Sequence, residues 1–303
     1  MDIKVLILYT IGLILALYGI ILGIMSIVLK IKGRGIKSIW IRYLTWFLII
    51  PPLLFPLLYS KILFQIIILV LSLLLFREYV RVVGLWKDSV YVLICYIEIM
   101  LCYIPVFLNR FGFFQVMPIY IIILVLLVPI IRGEYEHMIQ KSCLAMLGVT
   151  YFGWFLAHIA FLRNLPMGIE YIFFLGVLVA SNDAGSYIFG RLLGKSPLAP
   201  KISPQKTKEG FIGGMIMVII LAFLLKIFTP EFTAFHRIFF ALIISIGGTC
   251  GDLVMSFIKR DLGLKDFGKI LPGHGGLLDR FDSMIFVTPL FFHIVNLFYS
   301  IVN

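Results

Sequence analysis

Residues 252–283 read DLVMSFIKRDLGLKDFGKILPGHGGLLDRFDS. The acids Asp252, Asp279 and Asp282 alternate here with the bases Lys259, Arg260, Lys265 and Arg280. Asp279 and Asp282 are three residues apart, so on a helix they share a face. The turn formed by Pro272, Gly273, His274, Gly275 and Gly276 offers a way for Asp252 to fold back toward them. Converging carboxylates repel unless a cation lies among them. Mg2+ suits such a place, held by one or two carboxylates and by substrate phosphates. The lysines and arginines would neutralise further phosphate charge. This pattern fits phosphoryl or nucleotidyl transfer, in which catalysis is chiefly positioning and charge stabilisation. No Ser-His-Asp spacing is visible, and His274 has three open readings: base, phosphate donor or turn-fixing residue.

A second polar segment, SNDAGSYIFGRLLGKSPLAPKISPQKTKEGFIGG, covers residues 181–214. Asp183 closes an apolar run and reads as part of a polar cavity, with helix packing or capping as the plainer alternative. Gly185, Ser186 and Gly190 form a small-residue strip that lets another helix approach. Pro197, Pro200 and Pro204 exclude a regular helix after it. Lys201, Lys206 and Lys208, with Ser203 and Thr207, then feed the start of the next apolar run. That suits a phosphate cradle, because helix N-termini present free N–H groups; a solvated basic loop is the alternative. No Walker loop is present.

These segments must be positioned by a membrane body. The 303 residues are 62% hydrophobic and 14% charged, against about 25% charged in soluble domains. The expected fold class is all-α, a polytopic integral membrane protein with about ten transmembrane helices. The spans fall at about 5–29, 40–60, 62–76, 89–108, 112–131, 142–162, 168–189, 210–229, 233–251 and 283–302, most of them long enough to cross roughly 30 Å of hydrocarbon. The split between the second and third spans is open to a re-entrant pair. Residues 1–165 read as an N-terminal transmembrane body and 166–303 as a C-terminal catalytic region, with cytoplasmic loops 190–209 and 252–282. Odd-numbered gaps between spans hold 20 Lys and Arg, and even-numbered gaps hold 5. Basic residues accumulate on the cytoplasmic side, so both termini are expected outside and the signature loops inside. The net charge of +11 then serves anionic membrane lipids rather than nucleic acid. The basic gap at 30–42 is an orientation signal or a lipid-phosphate contact. The N-terminal run is too long, and its basic residues wrongly placed, for a removable signal peptide.

Glu78 is spaced to pair with Arg81 or to support the site. Glu98 lies inside an apolar run, where a carboxylate is costly unless paired or facing a polar cavity. His137, His158, His236 and His293 have no ligand spacing and read as packing residues. Cys95, Cys102, Cys143 and Cys250 read as core residues, without disulfide or zinc patterning.

The stretch from Ser256 through Lys259, Arg260, Lys265, Asp266, Gly268, Pro272, His274, Gly275, Gly276, Asp279 and Arg280 to Asp282 resembles the signature of the phosphatidate cytidylyltransferases. The 183–214 segment is similar to that family's upstream motif. The resemblance implies transfer of CMP from CTP to phosphatidic acid, giving CDP-diacylglycerol and pyrophosphate. It implies Mg2+, with a second monovalent cation such as K+ as an option. By the resemblance, Asp252, Asp279 and Asp282 are metal-centre residues, and Lys259 and Arg260 belong to the catalytic set. Asp183, Ser203, Lys206, Thr207, Lys265, His274 and Arg280 fall to substrate and cofactor binding. A bacterial cytoplasmic membrane is the expected location, and a homodimer is one allowed assembly. Met255 departs from the pattern, which usually has glutamate there. A paralogue acting on another lipid phosphate, a CTP-dependent polyprenol kinase and a non-enzymatic transporter or scaffold are the alternatives.

Overall fold

The computed structural model describes residues 2–31, 37–264, 267–268 and 276–299. Lys265, His274 and the Pro272–Gly275 turn lie outside these residues, as does the centre of the basic 30–42 gap.

The apolar runs form helices because hydrocarbon leaves backbone N–H and C=O groups no partner but each other. In order they are α1 (Ile3–Ile31), α2 (Lys37–Tyr59), α3 (Lys61–Val82), α4 (Ser89–Phe107), the short α5 (Phe111–Gln115), α6 (Met117–Arg132) and α7 (Met138–Gly148). A π-helical turn, Val149–Phe155, joins α7 to α8 (Leu156–Leu162). Then follow α9 (Gly168–Leu193), α10 (Lys208–Leu224), α11 (Ala234–Asp261) and α12 (Leu278–Tyr299). Among the described residues, eight helical segments are long and apolar enough to cross a membrane, and Trp46–Tyr59 and Met117–Arg132 are shorter apolar helices. Each of the ten expected runs therefore corresponds to an apolar helix, and the protein is an all-α integral membrane protein. Helix α2 continues through Pro51, Pro52 and Pro56. It ends at Tyr59, and the Ser60 side chain accepts from the Leu63 N–H to start α3.

Two boundaries differ from expectation. Helix α11 runs ten residues past Gly251, so Asp252, Ser256, Lys259 and Arg260 stand on its last turns rather than in a loop. Asp279 and Asp282 stand on the first turns of α12. The 252–282 loop thus shortens to the residues between Asp261 and Leu278. Residues 197–207, where proline excludes helix, form an antiparallel ribbon of β1 (Pro197–Ala199) and β2 (Ser203–Thr207). The side chain of Thr207 then accepts from Gly210 N at 3.1 Å and starts α10.

Polar contacts sort the connections into two ends. At one end, Asp88 binds Arg132 and Lys141 at 2.7 and 2.9 Å, Glu78 meets Leu277 and Leu278, and Lys206 meets Asp252. Burial alone would raise the Asp88 carboxyl, but the hydrogen bonds from Lys141 and Arg132 outweigh it and hold the group below the usual range. At the other end, Arg163 reaches Leu57 O, Asn164 joins Gln65 and Val106, and Tyr299 reaches Glu231 O. Lys4 lies over the Tyr59 ring at this same end. The odd gaps with described contacts therefore share one end, and the even gaps share the other with both terminal helices' outer tips.

One apolar cluster runs from Ile7 to Val295 and crosses the 165/166 boundary. Within it His158 Nε2 and His293 Nε2 stand 3.2 Å apart, and His158 Nδ1 is 2.8 Å from Trp154 O. A carbonyl only accepts, so Nδ1 carries the proton and His158 Nε2 accepts from His293. The pair is a packing link between α8 and α12, in keeping with a structural role. Cys95 and Cys102 are buried, but Cys143 and Cys250 are exposed. Their apolar surroundings reflect the outer surface of a membrane bundle, which is as hydrophobic as its core.

Helices α9 and α10 pack most extensively, along the small-residue strip. A Cβ on Gly214 would lie 3.0 Å from Asn182 O and collide with Ser186 Oγ. Gly214→Val should force these helices apart, at a cost of about 1–3 kcal/mol. A thermal melt in detergent should show a fall of several degrees, whereas Gly12→Val, at a position with open space, should leave it unchanged.

Candidate active site

The site begins with a close helix crossing. A Cβ on Gly251 would lie 2.7 Å from both Asp282 O and Phe286 Cβ. Glycine at this position lets α11 and α12 touch backbone to backbone, and Asp252 follows immediately. Helix α9 joins at the same level, where Asn182 Nδ2 faces Gly248 and Ser283 Oγ donates to Asp183 Oδ1 at 3.2 Å. Three helices therefore bring Asp183, Asp252 and Asp282 together. Asp183 is accessible, Asp252 is partly buried and Asp282 is 7% exposed. Asp282 experiences the negative charges of Asp252 and Asp183. Lys206, carried in by β2, forms an ion pair with Asp252, and Ser256 Oγ donates to the same carboxylate at 3.3 Å.

Asp279 stands apart from this group. It pairs with Lys259 at 2.8 Å, and its other oxygen accepts from Phe267 N and Gly276 N at 3.2 and 3.0 Å. It gathers the α11–α12 connection onto the first turn of α12. Glu78 serves the same connection from α3, accepting from Leu277 N at 3.1 Å and Leu278 N at 2.8 Å. Its carboxylate thus meets the positive end of the α12 dipole, and this, not an Arg81 pair, is its described partnership.

The remaining expected residues divide between the ribbon and the helix ends. Arg260 donates to Ile202 O at 3.2 Å, fastening the ribbon to α11. Thr207 is engaged in capping α10. Ser203 lies at the start of β2. Arg280 is exposed on the first turn of α12, and its charge acts on Asp183. Glu209 holds the ribbon's entry through the Lys195 and Ser196 N–H groups. Met255, the position that departs from the resemblance, is 1% exposed and packed in the apolar core. Glu98 is also buried, without a partner among the described residues, and belongs to none of these groups.

Among the described residues no three Asp, Glu, His or Cys side chains are set to share one ion. Mg2+ needs only one or two carboxylates when phosphate and water complete its shell. The donor set suits that demand. Asp252 and Asp282 offer hard oxygen ligands on adjoining helices, and Asn182 Oδ1 and Ser186 Oγ nearby are buried without partners among the described residues. Sequence reasoning did not single out Ser283, although it directly follows Asp282; Glu209 falls within the stretch similar to the upstream motif and stands in a helix first turn favourable to acids.

Glu78→Ala should leave two buried N–H groups unpaired, at about 1–3 kcal/mol each. The expected result is a lower melting temperature and faster proteolysis between Asp261 and Leu278, with Arg81→Ala close to wild type.

The family model described as the cytidylyltransferase family matches residues 40–298. The chain is 42% identical over 156 residues to the uncharacterized protein YnbB of Escherichia coli K12, covering 48% of this chain and 52% of that protein. It is 42% identical over 160 residues to a phosphatidate cytidylyltransferase of Staphylococcus saprophyticus, covering 52% and 60%. With the phosphatidate cytidylyltransferase of Bacillus subtilis it shares 42% over 154 residues, covering 50% and 57%. The matched stretch thus spans little more than half the length of these relatives. Since the family model takes in nearly the whole chain, from α2 to the end of α12, the chain belongs to the cytidylyltransferase family.

Proposed function

We propose that the protein transfers CMP from CTP to phosphatidic acid, giving CDP-diacylglycerol and pyrophosphate. The observation that carries this reading is the meeting of Asp252 and Asp282 at the α11–α12 crossing, beside Asp183 and under Lys206. Family membership and the names of the relatives support it.

A non-bridging oxygen of the lipid phosphate attacks the α-phosphorus of CTP. The bond from that phosphorus to the α–β bridging oxygen breaks, and pyrophosphate leaves with the electron pair. The attacking group is already an anion, so no strong base is required, which agrees with a sequence that shows no Ser-His-Asp spacing. Asp252 and Asp282 would hold Mg2+, which when bound supplies charge neutralisation to the triphosphate. Lys206 exchanges its Asp252 partner for phosphate oxygen as the nucleotide enters. Arg280 adds positive charge at the accessible side. Lys259 and Asp279 keep the connecting segment in register, and Arg260 keeps the ribbon over the site. Lys265 and His274 are assigned to phosphate binding by the resemblance alone. A second, monovalent cation such as K+ is an option that rests on the resemblance alone.

The end of the bundle that carries the site faces the cytoplasm, where CTP is available. The excess of Lys and Arg in the odd gaps supports this. The location is the bacterial cytoplasmic membrane, with both termini outside.

Purified protein in detergent, given phosphatidic acid, CTP and Mg2+, should release pyrophosphate and form CDP-lipid in equal amounts. Release of CDP instead would identify a CTP-dependent kinase, and no product from folded protein at any Mg2+ concentration would sink the proposal. Asp252→Asn and Asp282→Asn should each lower kcat by about a hundredfold or more, the scale of losing a main charge-stabilising group. EDTA should abolish turnover, and Mg2+ should restore it.

A further inference from the structure

The π-helical turn at Val149–Phe155 interrupts an otherwise continuous helical segment from Met138 to Leu162. Such turns insert a residue into the helix and redirect the side chains around them. Here the turn carries Tyr151 against α12. The Tyr151 ring lies 6.5 Å from that of Phe286 and is packed by Phe152 and Phe155, with centroids at 5.5 and 5.4 Å. Phe286 is one helical turn beyond Asp282, on the same face of α12. It is also the side chain against which Gly251 closes the α11–α12 crossing. Tyr151 is therefore directed to the floor of the acid group, and the charges acting on its phenol are those of Asp282 and then Asp252.

Tyr151 is 4% exposed, yet its hydroxyl has no hydrogen-bond partner among the described residues. Leaving a buried hydroxyl unpaired costs about 1–3 kcal/mol, and phenylalanine would fill the same space without that cost. A donor kept at this position calls for an acceptor that arrives with a ligand. The two ligands of the proposed reaction come from different phases. Lys206, Arg260 and the β1–β2 ribbon approach from the connection side, where a water-soluble triphosphate would enter. Tyr151 approaches from an aromatic wall within the bundle, the apolar side that matches a substrate carried by the membrane.

We infer that Tyr151 is a substrate-binding residue whose hydroxyl donates to a phosphate oxygen of the lipid substrate, holding the attacking phosphate beside Asp252 and Asp282. The inference rests on the proposed function for the identity of the lipid. The geometry that carries it is the redirected turn and the unpartnered phenol at the acid group.

Tyr151→Phe tests it, with thermal melts of detergent-solubilised protein in EDTA as the readout. The probes are dioctanoyl phosphatidic acid and, separately, CTP. Without ligand the variant should melt at or above the wild-type temperature, because it loses only an unpartnered hydroxyl. Stabilisation by the phosphatidic acid should need about tenfold more lipid than in wild type, the scale of a lost hydrogen bond to a charged group. Stabilisation by CTP should be unchanged. With Mg2+ present, KM for phosphatidic acid should rise while KM for CTP stays constant.

Equal lipid stabilisation in both proteins, an equal loss for lipid and CTP, or a lower ligand-free melt that reveals a structural partner would each overturn the inference. Wild-type protein that gains nothing from the lipid would also overturn it. If wild type is stabilised by the lipid in a Tyr151-dependent way but makes no CDP-lipid, the proposed reaction fails and the lipid-phosphate contact stands.

Discussion

A carboxylate inside a hydrophobic bundle must find a donor or a cation, and much of the described structure answers that demand. Asp282 lies buried where two other acids add their charge. That arrangement is costly for an isolated protein, because like charges at close range disfavour one another's ionised form. Lys206 offsets part of it at Asp252, and Ser283 and Ser256 donate to Asp183 and Asp252. The remaining negative excess is what a bound cation would neutralise.

The same demand explains how distant parts of the chain are joined. Glu78, on α3, is tied to the start of α12 through two backbone N–H groups. Asp279 closes the other side of that turn and pairs with Lys259. Removing one partner of a buried ion pair costs about 3–5 kcal/mol, so the Lys259–Asp279 contact has a structural stake apart from any chemistry. The N-terminal body is thus more than a membrane anchor. It supplies Glu78 and the aromatic wall around Tyr151 that borders the acid group from within.

Met255 also has a physical place in this arrangement. It is packed in the apolar core, one turn from Asp252 on the same helix. A glutamate at this position would add a fourth carboxylate close to three that already repel. Methionine brings no charge and fills the space with apolar contact.

Much of the architecture was legible from residue order. Unbroken apolar runs of membrane length become helices, because a helix satisfies every backbone group within one segment, whereas barrel strands would alternate in polarity. The alternation of Lys and Arg correctly separated the connections whose contacts now group at opposite ends of the bundle. Burial was less legible. Cys143 and Cys250 sit in apolar surroundings like Cys95 and Cys102, yet they face outward, because a membrane protein is apolar on both its inner and outer faces.

What sequence alone determined, then, was the set of helices, the two polar segments and the residue types able to bind phosphate and a hard cation. Tertiary structure decided which of those residues meet. It joined Asp252 to Asp282 through the Gly251 crossing, added Asp183 through Ser283, and turned Asp279 toward Lys259 and the loop. The residues from 252 to 282 that first stood out as one polar stretch became two helix ends that share a site with α3, α9 and the ribbon. The reason is that helical periodicity fixes neighbours only within a few turns, whereas contacts such as Asp183–Ser283 and Glu78–Leu278 depend on how whole helices pack.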